Sequence, residues 1–112
     1  MSLREEQAKF SRDLSIFILW LYEIGYEVSI GEVQRPIEMQ EIYYKNGRSK
    51  TMDSKHLKKL AADLFVFKNG KLLATKEEMQ FAGNHWETMS AVNSWGGNWN
   101  TFKDVPHFER RA

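Results

Sequence analysis

The run Ala61-Ala62-Asp63-Leu64-Phe65-Val66-Phe67 sets six apolar side chains around one carboxylate, and it limits the possible folds more than any other stretch of the chain. It reads as a central strand buried on both faces, because it is short, apolar and ends in a turn signal. Asn69-Gly70 follows at once, a dipeptide suited to the left-handed backbone of a two-residue hairpin, and Lys71-Leu72-Leu73 returns. The other elements must gather around this strand.

Ser2 and Glu5 form a capping-box pattern, and Phe10, Leu14, Phe17, Ile18 and Leu21 recur at helical spacing, which predicts a helix from about residue 3 to about residue 24. Gly25 stops it. Tyr26, Val28 and Ile30 alternate with polar residues, and this strand is expected to continue to Val33. Pro36 suits the start of a second helix that Asn46-Gly47 ends, and the polar residues 46–55 are expected to form a loop able to bind a ligand. Thr75 and Glu78 give a second capping box. Met79, Ala82, Trp86, Met89 and Val92 or Asn93 then predict a third helix over about 76 to 93. The remainder, from Trp95 to Glu109, is expected to be a loop leading into a short strand. The fold class is α+β, a small mainly antiparallel sheet packed with about three helices, in a single domain over residues 1–112.

Composition removes several functions. With 16 Lys and Arg against 15 Asp and Glu, the net charge of +1 lacks the cationic surplus of a general nucleic-acid binder. The absence of Cys excludes disulfides and thiolate metal sites. Ile16 to Tyr22 is too short to span a membrane, and the N-terminus has no secretory signal pattern, so synthesis in the cytoplasm is expected. Nothing calls for an obligate oligomer, and a monomer is expected.

Asp63 is the chemical oddity, since an ionised carboxylate in so apolar a strand needs a cation or several donors beside it. His56 precedes it by seven residues and His107 lies on the last strand. Two imidazoles and a carboxylate form a sensible zinc set that leaves a fourth position open, as catalytic sites do. Asp104, three residues before His107, is placed to serve as a base if both side chains face one cavity. The same residues also admit a plainer reading: Asp63 paired with a Lys or Arg, His56 and His107 as ordinary surface or packing histidines, and Asp104 as a turn residue. His85, alone on the third helix, reads as packing.

The segment Ser54-Lys55-His56-Leu57-Lys58-Lys59-Leu60-Ala61-Ala62-Asp63 resembles the Ser-x-His-x-x-Gly-x-Ala-x-Asp motif of the M15 zinc peptidases, which include VanY-like D-alanyl-D-alanine carboxypeptidases. Arg35 to Gln40 is similar to the family's Arg-x-x-x-x-Gln. Trp95-Gly-Gly-Asn-Trp99 and Asp104-Val-Pro-His107-Phe-Glu109 resemble the ending of the phage-endolysin branch that cleaves L-alanyl-D-glutamate bonds. This resemblance implies the M15, hedgehog-like fold and one zinc ion held by His56, Asp63 and His107. It implies Asp104 as the catalytic acid and base, and Arg35 as a group that stabilises the oxyanion or holds a substrate carboxylate. Ser54, Gln40 and Trp95 would line the substrate site, with an aromatic lid packed on the core as the alternative reading of Trp95, and Glu109 would orient an imidazole. The implied substrate is the stem peptide of bacterial peptidoglycan, reached after release or export. A D-alanyl-D-alanine carboxypeptidase is the alternative activity, and a non-catalytic wall-binding or phage structural module the alternative of another class. Lys59 stands where the family has Gly, which raises a question about the turn after His56.

Overall fold

The computed structural model describes residues 1–34, 37–48 and 55–112. Helix α1 spans Leu3–Glu23, and Ser2 caps it as expected: its hydroxyl accepts from the Glu5 N–H and the Glu5 carboxylate accepts from the Ser2 N–H, both at 3.2 Å. Strand β1 covers Glu27–Ile30, helix α2 Ile37–Lys45, strand β2 Ala61–Lys68 and strand β3 Lys71–Leu72. Helix α3 spans Lys76–Met89 behind the Thr75/Glu78 capping box, strand β4 covers Asn93–Trp95 and strand β5 His107–Arg110.

β2 is the centre, as its apolar run predicts, but it is not buried on both faces: on the side of Asp63 and Phe67, Phe65 is exposed. Its first three residues pair with β5, its later residues with β1, and its end with β3, all antiparallel, and β4 lies outside β5. Because side chains alternate across a strand, the sheet acquires two different faces. Ala62, Leu64 and Val66 of β2, Phe108 of β5 and Trp95 of β4 turn inward and join Phe10, Phe17 and Leu21 of α1 and Met79, Ala82 and Trp86 of α3 in the core. Phe17 packs against Trp86 and Phe108 with ring centroids 5.4 and 5.1 Å apart. The contact between α3 and the sheet is close enough that a Cβ on Gly83 would overlap the Trp95 indole. Asp63, His107, Glu109 and Ser94 occupy the alternate positions and so share the opposite face, where Asp63 is the direct cross-strand partner of His107 and Ser94 of Glu109.

Two boundaries differ from the periodicity. α3 ends at Met89 because Ser90 turns extended (φ −159°, ψ 144°), and Asn93 opens β4 instead of closing the helix, its amide donating to the Trp86 carbonyl at 3.1 Å. Regular pairing of β1 stops at Ile30 rather than Val33. Beyond it Gly31 donates to the Asp63 carbonyl and Asp63 donates to the Glu32 carbonyl, each at 2.8 Å, so two residues face one in a bulge that redirects the chain at Val33. The polar segment 46–55 falls largely outside the described residues.

Candidate metal centre

His56 lies on a short 3-10 turn, Lys55–Lys58, and is 1% exposed. Its Nδ1 lies 3.0 Å from the Val33 carbonyl oxygen, which can only accept, so Nδ1 carries the proton and Nε2 presents a lone pair. His107 is fixed the other way round. Its Nε2 donates to Glu109 Oε1 at 2.7 Å, leaving the Nδ1 lone pair pointing inward, and Glu109 is itself held by the Arg111 Nε donating to Oε2 at 2.8 Å. His56 Nε2 and His107 Nδ1 therefore face each other at 3.1 Å, and Asp63 Oδ1 lies 3.4 Å from His56 Nε2 and 3.7 Å from His107 Nδ1.

Three acceptors thus converge on one point. Among the described residues Asp63 Oδ1 is buried without a hydrogen-bond donor, which is the costly state that a cation relieves. Tetrahedral zinc with bonds of about 2.0–2.2 Å needs ligand atoms about 3.3 Å apart, and the three separations bracket that value. The donor set fits zinc. The carbonyl of Val33 and the carboxylate of Glu109 supply the outer hydrogen bonds that metal-binding imidazoles require.

Without metal, the same cluster traps a proton. Burial opposes charging His107, but Asp63, Glu109 and Asp104 outweigh it and push the pKa up from 6.5 to about 9. Burial likewise opposes ionising Asp63, yet His107 and His56 bring it down from 3.8 to about 2. The His107 contribution to stability is complete below pH 6.5 and is lost as pH rises through 9; that of Asp63 is complete above pH 3.8 and lost as pH falls through 2. Chelator-treated protein is therefore expected to lose Tm between pH 6.5 and 9, and zinc, which replaces the proton, to remove most of that slope. Calorimetry with and without zinc checks this; a metal-free Tm that stays flat or rises over the interval contradicts it.

Asp104 joins the cluster from the loop before β5, its Oδ2 3.8 Å from His107 Nδ1 and its carboxyl partly exposed. Its backbone is clamped: Asp104 N–H donates to the Gly96 carbonyl at 3.0 Å, and the Asp104 carbonyl accepts from His107 N–H at 3.1 Å. Gln40 is fully buried on α2. Arg35 and Ser54 lie outside the described residues. Trp95, expected to line the substrate site, is instead fully buried, with its Nε1 donating to the Val105 carbonyl at 2.7 Å, so it holds the Asp104 loop from beneath. The Gly-Gly pair beside it permits close approach to the protein itself: a Cβ on Gly96 would overlap the Asp104 carbonyl, and one on Gly97 the Trp95 ring. Trp99, by contrast, packs its ring against His107 at 5.0 Å. His85 stacks on Trp20 at 3.7 Å, a packing contact.

Lys59 has a φ of 57°, so the position does require the left-handed backbone that the family glycine provides. The turn tolerates a lysine at a strain of about 1–2 kcal/mol. The Val33 carbonyl could not be found from side-chain motifs, since any residue offers one. Glu87 was also missed; from α3 it accepts from Trp95 N–H at 2.9 Å and from Asn98 Nδ2 at 3.0 Å, tying the Trp95–Trp99 loop to the helix.

Comparison with known proteins gives a consistent picture. The D-alanyl-D-alanine carboxypeptidase model of the M15 peptidases matches residues 47–110. The L-alanyl-D-glutamate peptidase of Listeria phage A118 is 35% identical over 92 residues, which cover 80% of this chain and 32% of that protein. The chain therefore spans about a third of the length of that curated relative. The crystal structure of the L-Ala D-Glu endopeptidase ChiX of Serratia marcescens superposes with a TM-score of 0.69 at 26% identity, covering 88% of this chain and 78% of that one.

Proposed function

Because the chain belongs to the M15 peptidase family, whose members are zinc enzymes, we propose that it is a zinc-dependent endopeptidase cleaving the L-alanyl-D-glutamate bond of peptidoglycan stem peptides. The observation that carries this reading is the convergence of His56 Nε2, His107 Nδ1 and the buried Asp63 Oδ1. The choice of bond rests on both the phage relative and the Serratia structure.

In this reading His56, Asp63 and His107 hold one zinc ion, which when bound polarises the scissile carbonyl and acidifies water. Two neutral imidazoles and one carboxylate leave the centre with net positive charge, which favours both effects. Asp104, beside the cluster but partly open to solvent, takes the proton of the attacking water and passes it to the leaving amine. Glu109 keeps His107 in the tautomer that binds through Nδ1, and the Val33 carbonyl does the same for His56 through Nε2. Arg35 holds the developing oxyanion or a substrate carboxylate, Ser54 donates to the substrate, and Gln40 shapes the pocket from within. The chain works as a monomer on the cell wall after release or export.

Metal analysis combined with mass spectrometry of digested peptidoglycan tests the reading. Near-stoichiometric zinc and products bearing a new N-terminal D-glutamate are expected. Free D-alanine would instead assign the carboxypeptidase activity that the family model describes. Protein that takes up no zinc and releases no product would overturn the enzyme reading in favour of a wall-binding module.

A further inference from the structure

Arg111 has no role in the chemistry above, yet its placement is specific. It follows His107 and Glu109 at alternate positions, so it shares the sheet face that carries the metal ligands. Its Nε is fixed by Glu109 Oε2, and its guanidinium lies 5.6 Å from the Trp99 ring centroid. No described residue accepts from its two Nη groups, and its side chain is 57% exposed. These groups line a cleft of about 690 Å³ whose walls include Ser94, Trp99, Asn100 and Thr101. Glu87 also lines it, but both of its carboxylate oxygens already accept hydrogen bonds from Trp95 and Asn98. Among the described residues that line it, Arg111 is thus the ionic group with unspent hydrogen-bonding capacity, in a cleft one wall of which, Trp99, packs against His107. A planar guanidinium held by Nε and open at its Nη edge matches a carboxylate.

We propose that this cleft is a substrate subsite in which Arg111 binds a side-chain carboxylate on the third residue of the stem peptide, an inference that rests on the stem-peptide endopeptidase reading. Arg111 stands a full carboxylate and two hydrogen bonds away from His107 Nε2, and the imidazole ring lies between that atom and the metal-facing Nδ1. That is too far for the α-carboxylate of the glutamate, which adjoins the scissile nitrogen, and suits a group one residue farther along the leaving peptide. The muramyl side of the bond offers no free carboxylate, because its lactyl group is consumed in the amide to L-alanine. Stem peptides whose third residue is diaminopimelate carry the required group; those with lysine there have the same chain without it.

Two synthetic peptides, L-Ala-γ-D-Glu-diaminopimelate and L-Ala-γ-D-Glu-L-Lys, isolate that carboxylate. Wild-type protein is expected to favour the first by roughly fivefold in kcat/KM, an effect scaled to a partly exposed ion pair. Arg111→Gln should bring the ratio to about one, and Arg111→Lys, which keeps the charge but not the fork, should leave it between the two. Because the readout is a ratio within one protein, a general loss of activity or of folded protein does not imitate it. A wild-type ratio near one, or a preference that survives in Arg111→Gln, overturns the subsite; in the second case a fall in kcat on both peptides would mark Arg111 as acting only through Glu109. Calorimetric titration of the same peptides separates this from the parent reading. If neither peptide is cleaved but the diaminopimelate peptide binds wild type more tightly than Arg111→Gln does, the subsite stands and the assigned bond falls.

Discussion

Asp104→Asn is expected to retain zinc and to lose 10²–10⁴-fold in kcat, the range over which a positioned acid and base contributes. The substitution keeps the shape of the side chain and the backbone clamp to Gly96 and His107, so the metal cluster should be undisturbed. What disappears is the ability to accept a proton and return it to the leaving amine. Asp104 Oδ2 is 3.8 Å from His107 Nδ1, close enough to face the same substrate but lying outside the three-atom ligand cluster. Elemental analysis and single-turnover rates on the same preparation separate the two properties. Activity within tenfold of wild type would remove Asp104 from the proton-transfer role, and loss of zinc would make it a ligand instead.

How far the site was legible in the sequence depended on the kind of constraint. Asp63 announced itself because a charge in an apolar strand violates a strong rule, and the strand's own pattern then fixed which face it occupies. His107 was legible as an imidazole on the last strand, and strand spacing explains why it and Glu109 emerge on that face and bond. Trp95 misled. The same alternation that exposes Ser94 buries Trp95, but this became visible only once β4 was known to be a strand, and helical periodicity through Val92 and Asn93 had hidden it. The Val33 carbonyl and the bulge that delivers it depend on how two strands pair, which local sequence does not encode. Lys59 lies between these cases: the motif named the position as glycine, and the positive φ explains why, but only the structure shows that lysine adopts it.

Gly96→Ala is expected to damage the site through geometry alone. The substitution leaves every proposed ligand and Asp104 in place, and Gly96 is not among the glycines with positive φ, so no backbone preference is lost. Its added Cβ, however, would overlap the Asp104 carbonyl oxygen, a backbone atom that cannot rotate aside. Relief requires moving the Asp104 segment by about 1 Å, and a misplacement of that size costs on the order of 10²-fold in rate. The move cannot stay local. Asp104 N–H is bonded to the Gly96 carbonyl, and the Asp104 carbonyl receives the His107 N–H, so the proposed proton-transfer group and a proposed metal ligand shift together. Overpacking of this kind costs about 1–3 kcal/mol, so a lower Tm should accompany a fall in both zinc affinity and kcat. Circular dichroism identifies the temperature at which the variant remains folded, and zinc titration and kinetics are then compared below it. Asp104→Asn changes turnover without affinity, whereas Gly96→Ala should change both. Wild-type zinc affinity and turnover in folded Gly96→Ala would mean that the Trp95–Trp99 loop yields instead, and that its tie to Glu87 does not set the position of Asp104.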